Sequence, residues 1–421
     1  MEKIKVGVFG IGRGTYIAKD FMLAGCEIVA ACDCAPNLER NQGYFKQLQE
    51  MGAKFYDNFD AFIEHDMEAV ILANAFHEHA PYAIKCFEKG LHVYSECISN
   101  GTMAEGVELI RAFEKSNVVY LLAENYPQMK MNRELQRICK SGTMGKIVFA
   151  EGEYNHPHDY TNDWIQKDIF YYEKHWRNYI PRTYYITHSL GPLMCATGAT
   201  PRKVSAFATF APPEGEGLIT ADNTGDRAAI IMTYNDDESI YRVTACSAFG
   251  GQENSYRICG TKGEICNIRG SMGEKILRRH GTWCTPEGIP SESIYEPGWN
   301  DPDEELIWQS GHGGGDFITA RMFINCIKEG KQPEHPFDIY GGTTMSSVGI
   351  LAWRSVLNGG EVMEIPDFHK EEDRKRYEND RLTPFWSFDG TVPPTLPCCS
   401  HPDYKVDPEH LENYRKVMGT N

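Results

Sequence analysis

The sequence predicts an α/β fold: a doubly wound parallel sheet at its N-terminal end, then an α+β domain with a large, mostly antiparallel open sheet. Three observations lead there. Residues 1–123 alternate short β-rich runs with helical segments, which implies right-handed crossovers and helices on both faces of a parallel sheet. Beyond about residue 140, longer strand-like runs follow one another with turn signals between them. The first apolar strand also runs straight into a glycine turn, Phe9-Gly10-Ile11-Gly12-Arg13-Gly14-Thr15.

The elements follow in order. The opening strand and glycine turn lead into a helix, and a second apolar run over residues 27–32 ends at Asp33. A helix over 36–51, a strand over 69–75, a helix over 79–89, a strand over 92–96, a helix over 102–116 and a strand over 118–124 complete a first domain, set at 1–123. A helix over 127–140 opens a second, set at 124–366, with strands expected at 147–154, 203–210, 227–234, 240–248 and 255–258. Asn235-Asp236-Asp237-Glu238 reads as a hairpin turn, and helices are expected over 316–328 and 343–357. Residues 367–421, rich in Pro, charge and aromatics, read as a tail packed on the body through Phe385-Trp386-Ser387-Phe388.

Composition narrows the function. A net charge of −17 argues against nucleic acid and anionic membranes, which reward clustered Lys and Arg. No leader-like start and no run long enough to span a membrane is evident, so a cytoplasmic setting is expected. The 14 cysteines are scattered and several fall in apolar strands, which suits reduced, buried thiols. None has the paired spacing of a zinc site, so no metal is expected.

The glycine turn has the layout that a dinucleotide pyrophosphate needs: backbone N–H groups at a helix start with no Cβ in the way. Gly10, Gly12, Arg13, Gly14 and Thr15 are the cofactor-binding candidates, and Asp33 stands where a Rossmann fingerprint places its ribose-binding acid. A carboxylate there accepts from the ribose hydroxyls and repels a 2′-phosphate, so NAD(H) is expected over NADP(H). Arg40 is too distant in sequence to reverse this. Asn74, Glu96 and Glu124, like Asp33, fall at the carboxyl ends of strands, where ligands of such sheets sit.

A Rossmann half of this length, closed by Leu91-His92-Val93-Tyr94-Ser95-Glu96 and followed by an open sheet, resembles the Gfo/Idh/MocA oxidoreductases. Gly260-Thr261-Lys262-Gly263-Glu264 looks like that family's sheet-domain turn, and His79 matches its Thr-Pro-x-x-x-His motif where Asn74 and Ala75 do not. Glu96-Cys97-Ile98 departs from the family's Glu-Lys-Pro, and a thiol cannot replace an ammonium as a fork of donors. Trp176-Arg177, Tyr185-Ile186-Thr187-His188-Ser189-Leu190-Gly191-Pro192, Ala123-Glu124-Asn125, Glu151-Gly152-Glu153-Tyr154-Asn155-His156 and Gly311-His312-Gly313-Gly314-Gly315-Asp316 look like one branch. That branch holds NAD-dependent glycosidases of the α-N-acetylgalactosaminidase type and related sugar 3-oxidoreductases, and it too does without the Lys.

The resemblance implies acid–base roles for Tyr185, His188 and Glu124. Asn74, His79, Glu96, Trp176 and Arg177 are the further cofactor-side candidates, and His156, His312 and Cys97 the candidates for contact with a sugar or glycoside. Tyr185 and His188 are expected on one face of a helix, meeting one substrate carbon. Oxidising a ring hydroxyl, C3 above all, needs a base for the O–H proton while hydride leaves carbon. Net oxidoreduction and redox-neutral glycoside hydrolysis by oxidation, elimination, hydration and reduction need largely the same pocket. An inactive dinucleotide-binding sensor or subunit is the third reading. A homodimer or homotetramer is expected from the resemblance.

Overall fold

Short runs buried on both sides build the first layer. Val6, Val8, Ala30, Ala69, Val70, Ile71, Leu72 and Val93 are all fully buried, as strands covered by helices on both faces require. A computed structural model of the chain describes residues 3–34, 41–270 and 274–420. In it the N-terminal part runs β1 (Lys5–Phe9), α1 (Ile11–Leu23), β2 (Glu27–Cys32), α2 (Gln42–Glu50), β3 (Lys54–Tyr56), α3 (Phe59–Phe62), β4 (Ala69–Leu72), α4 (His79–Glu88), β5 (His92–Ser95), α5 (Met103–Phe113) and β6 (Tyr120–Leu122). All pairings are parallel, in the order β3-β2-β1-β4-β5-β6, so the chain reverses its winding between β1 and β4. That switch point opens a crevice at the strands' carboxyl ends, beside Gly10 and Asn74.

The remainder runs α6 (Lys130–Lys140), β7 (Ile147–Asn155), α7 (Asp163–Ile169), α8 (Thr187–Thr197), β8 (Pro201–Phe210), β9 (Asp226–Asn235), β10 (Ile240–Ser247), β11 (Glu253–Gly260), β12 (Gly263–Asn267), β13 (Ile276–His280), β14 (Glu292–Tyr295), α9 (Glu304–Ile307), α10 (Gly315–Glu329), α11 (Ile339–Leu357), β15 (Met363–Glu364), α12 (Glu371–Lys375) and α13 (Pro408–Met418). Nine strands form one sheet, β14-β13-β12-β11-β7-β10-β9-β8-β15, antiparallel except for the β7–β10 pair. Helices α8 and α11 pack on it, α8 over β7, β10 and β11 and α11 over β8. Gly152 permits the first contact, since a Cβ there would lie 2.1 Å from the Ser189 carbonyl oxygen.

Several expectations are corrected. The helix over 127–140 is two pieces, a 3-10 turn at Tyr126–Gln128 and then α6, with Met129 extended between them. Side chains break it: Asn132 donates to the Tyr126 carbonyl at 2.7 Å and Gln136 to that of Pro127 at 2.6 Å. The strands expected over 69–75 and 118–124 stop at Leu72 and begin at Tyr120. Of the helix expected over 36–51, residues 36–40, Arg40 among them, lie outside the described residues. The hairpin at Asn235 closes as expected, its N–H donating to the Ser239 carbonyl at 3.0 Å. Within residues 367–421, Phe385 stacks on His77 at 4.5 Å. Among the described residues no helix is long and apolar enough to cross a membrane.

Candidate active site

The three glycines of the opening turn do different work. Gly10 lies in the left-handed region (φ 88°), and a Cβ there would sit 2.3 Å from the Ala73 carbonyl, so the turn abuts the end of β4. At Gly14 a Cβ would meet Val8 Cγ1 at 2.5 Å; its absence lets α1 lie close on β1. Gly12 has nothing nearer than the Tyr171 hydroxyl at 4.0 Å and walls an open cavity with Gly10, Asp33, Asn74, Trp176 and Arg177. One glycine makes the turn, one packs the helix, and one leaves room for a ligand. Thr15 is not turned toward that cavity. It is fully buried and donates to the Ile11 carbonyl at 2.6 Å, bracing the turn.

Asp33 is buried at the same cavity. One carboxylate oxygen accepts from the Ile11 N–H and the Asn41 amide, both at 3.1 Å, and the other from the Cys34 N–H at 2.8 Å. Asn74 donates to the Glu78 carbonyl at 3.3 Å while its Oδ1 is buried with no hydrogen-bond partner. His79 has a like vacancy. Its Nδ1 donates to the Ile98 carbonyl at 2.7 Å, Nε2 is buried without a partner, and burial lowers its pKa, so the ring is neutral. An unsatisfied acceptor beside an open glycine fits a polar ligand such as a dinucleotide.

A second cavity of about 260 Å³ shares Arg13, Asn74, Trp176 and Arg177 with the first and continues past Glu96, Cys97, Tyr154, His156, Tyr185, His188, Cys246 and His312. Behind the His188 and Cys97 walls of this cavity Glu124, fully buried just beyond β6, meets His188 in the first turn of α8. The His188 Nδ1 lies 2.8 and 3.0 Å from the two carboxylate oxygens. A Cβ at Gly191, one turn on, would be 2.8 Å from Glu124 Cγ, so this glycine makes the space for the acid. The imidazole stacks on Tyr126 at 3.9 Å and meets Tyr154 edge-on at 4.9 Å. Burial pushes the Glu124 carboxyl up, but His188, Thr187 and the Tyr126 N–H outweigh it and hold the acid ionised. Since a carboxylate only accepts, His188 donates from Nδ1, and its other nitrogen is the one available to a ligand.

Cys97 sits on the other side of Glu124, its thiol 3.2 Å from Oε2. Burial, then Glu124 and Glu96, push that thiol well above its ordinary range, so it donates as S–H and is no nucleophile. Tyr185 is not on the helix with His188. α8 begins at Thr187, and Tyr185 lies in the turn ahead of it, where its ring still meets the imidazole edge-on at 5.0 Å. Phe76 stacks with both Tyr185, at 5.0 Å, and Trp176, at 4.7 Å, and the Arg177 guanidinium covers Trp176 at 4.3 Å.

Arg13 walls both cavities, yet its guanidinium is engaged. It binds Asp316 through two nitrogens, at 2.9 and 2.7 Å, and Glu96 at 2.8 Å. Asp316 also accepts from Asn125 at 2.7 Å and pairs with His312 Nδ1 at 2.9 Å. Burial opposes the charge on Asp316, but Arg13 and His312 hold its carboxyl far below the usual range. His312, at φ 49°, reaches the cavity from this glycine-rich loop. His156 is half-buried, with Nδ1 lacking a partner, and burial followed by Arg177 lowers its pKa. Sequence reasoning passed over Phe76, Tyr126 and Cys246. Phe76 and Tyr126 stand beside His77 and Glu124 and could have been found as aromatics flanking polar strand ends; nothing in the sequence marks Cys246. Among the described residues no cluster of three or more His, Cys, Asp or Glu is placed to hold a metal ion.

Comparison with solved structures shows the same architecture. Levoglucosan dehydrogenase in complex with NADH and levoglucosan superposes with a TM-score of 0.70 at 18% identity, over 87% of this chain and 100% of that one. Aldose-aldose oxidoreductase from Caulobacter crescentus, complexed with glycerol, gives 0.64 at 16% identity, over 86% and 100%. By sequence the chain is 24% identical to a glycosyl hydrolase family 109 protein of Stenotrophomonas maltophilia (strain K279a), over 92% of this chain and 93% of the relative. It is 23% identical to glycosyl hydrolase family 109 protein 1 of Shewanella sp. (strain ANA-3), over 87% and 85%. The model of the glycosyl hydrolase 109 C-terminal domain matches residues 130–375, more than half of the chain and the stretch that carries Tyr185, His188 and His312. By that match the chain belongs to the glycosyl hydrolase 109 family.

Proposed function

We propose that this protein is an NAD-dependent enzyme that oxidises and reduces a ring hydroxyl, at C3, of a sugar or glycoside. The observation that carries the reading is the buried Glu124–His188 pair, at a cavity that shares walls with the glycine turn. Glu124 fixes the imidazole with Nδ1 protonated, so that Nε2 takes the hydroxyl proton. Tyr185 offers a hydroxyl beside that ring, and Arg177 and His156 offer donors to the other sugar oxygens. Gly12, Asn74 and Asp33 would hold the dinucleotide, whose nicotinamide, when bound, accepts the hydride released from the ring carbon and can return it. Asp33 favours NAD(H) over NADP(H); comparable binding of both would contradict this. The structural neighbours crystallised with NADH support the cofactor.

Membership of a glycosyl hydrolase family favours a second reading, redox-neutral cleavage. A ketone at C3 acidifies the C2 hydrogen, loss of that proton expels the C1 substituent, water adds, and hydride returns. His156 and His312 are the further acid–base groups at hand. Incubation with an aryl glycoside and NAD⁺ separates the two. Growth of NADH absorbance without aglycone release supports net oxidoreduction; aglycone release with no net NADH, and solvent deuterium at C2, supports cleavage. Neither product from any glycoside would leave a sensor or inactive subunit.

The fourteen unpaired thiols suit a cytoplasmic setting. Along β8 and β9, Phe207, Ile230, Met232 and Tyr234 point outward and are exposed, and this face is the expected seam of a homodimer or homotetramer. Light scattering that finds only monomers would contradict it.

A further inference from the structure

We propose that the C-terminal tail completes the cofactor site, with Phe388 as a wall for the adenine base of the dinucleotide. The inference rests on the NAD reading above. Phe388 lies beyond residue 375, where the family match ends, so that match assigns it nothing. The tail turn is firmly made: Ser387 Oγ donates to Asp389 at 2.6 Å, and the Gly390 N–H to the Ser387 carbonyl at 2.8 Å. It is also pinned from two sides. The Phe388 N–H donates to Glu78 at 2.9 Å, in the loop between β4 and α4, and the preceding Trp386 carbonyl accepts from His77 Nε2 at 3.0 Å. From the other side Lys174 donates to the Gly390 carbonyl at 2.9 Å, with its ammonium 4.0 Å from the Trp386 ring, and Tyr172 donates to the Phe388 carbonyl at 3.4 Å.

The turn therefore bridges the two segments that flank the mouth of the dinucleotide cavity, and Phe388 enters that cavity. It also walls a smaller recess beside it, with Phe9 and Tyr82 as further aromatics and Asp33, Asn74 and Glu78 as polar groups. Asp33 marks the ribose, and the base hangs from that same ribose, so the aromatic face that Phe388 presents to the open cavity it shares with Asp33 suits a flat purine. The tail thus acts as a strap over the adenosine end, while the nicotinamide end is left to the family-matched residues.

Binding measurements test this without turnover. In NADH fluorescence titrations Phe388→Ala should weaken binding about tenfold, the scale of one base–aromatic stack, and Phe388→Tyr should restore it. Reduced nicotinamide mononucleotide, which lacks the adenosine, should bind all three chains alike. On the unaltered chain, hydrogen exchange across residues 385–392 should slow with NADH or ADP-ribose and not with the mononucleotide; this decides the matter if the Ala variant does not fold. Equal NADH binding by Phe388→Ala, equal weakening of both ligands, or exchange indifferent to NADH would overturn the strap alone. An unaltered chain that binds no NADH would overturn the NAD reading and the strap with it.

Discussion

The two ends of the cavity are built on different principles. At the nucleotide end the work is done by backbone: Gly10 turns, Gly14 lets a helix approach, Gly12 leaves space, and Asp33 spends much of its carboxylate on Ile11, Asn41 and Cys34. At the catalytic end it is done by side chains from distant stretches, with both buried carboxylates already answered by other side chains. Glu124 faces His188, and Asp316 faces Arg13 and His312. The first end is rigid and shape-determined and suits a ligand common to many enzymes. The second holds its charges in fixed pairs in a buried setting, where a proton can be moved without rearrangement.

The largest expected effect separates the ends outright. His188→Ala should lower kcat by about 10²- to 10⁴-fold, the range for loss of a general base, with NADH binding unchanged in fluorescence titration. Asp33→Asn should do the reverse: weaken NAD⁺ by about tenfold and narrow the preference over NADP⁺, with kcat nearly kept. If both variants lose binding and turnover together, the division into a binding end and a catalytic end fails.

That division also governs how much was legible in the sequence. The turn from Gly10 to Gly14 is legible directly, because its geometry is local and glycine is the residue that permits it. Glu124 is marked by its place at a strand end and by motif likeness, Tyr185 and His188 by motif likeness, and the spacing of the last two suggests a helix face where the chain forms a turn entering α8. Arg13 and Asp316 are 303 residues apart, and no periodicity announces such a pair. The strands β12, β13 and β14 escaped for a different reason. Arg242, Glu151, Arg257, Glu264 and Arg279 form a ladder of alternating charge across neighbouring strands, and charges at those positions blur the apolar alternation that marks a strand.

The charge pairs give the catalytic end its own acid sensitivity. Asp316 and Glu124 are held below their ordinary pKa values, so the unfolded chain binds more protons than the folded one once pH falls toward 4. Their contribution to stability is present above the ordinary carboxyl range and is lost as pH drops through the depressed one. Asp316→Asn should cost about 3 kcal/mol at pH 7, as for a broken buried pair, and flatten the fall in stability below about pH 4. Denaturant melts across that range would show both; an unchanged slope would mean that Asp316 is not held ionised by Arg13.

The last effect belongs to the nucleotide end and runs in a milder window. His77, under the tail, donates from Nε2 to the Trp386 carbonyl, while its Nδ1 is buried with no partner. Protonating Nδ1 would charge a fully buried ring, and burial accordingly lowers the pKa from 6.5 to about 4 against the pull of that hydrogen bond. The sign follows from linkage. Between those values the unfolded chain takes the proton and the folded chain does not, so stability is whole above pH 6.5 and declines toward pH 4. His77 contributes at most one proton to that slope, about 1.4 kcal/mol per pH unit, beside His79, His92, His156 and His158, whose pKa values burial also lowers. His77→Gln, which keeps a donor for Trp386, should remove His77's share of that slope and leave the fall below pH 4 in place. Hydrogen exchange should then find residues 385–392 loosening at pH 5 in the unaltered chain and not in the variant, before the Glu124–His188 region yields. Simultaneous loosening of the two regions would mean that the ends of the cavity are one cooperative unit.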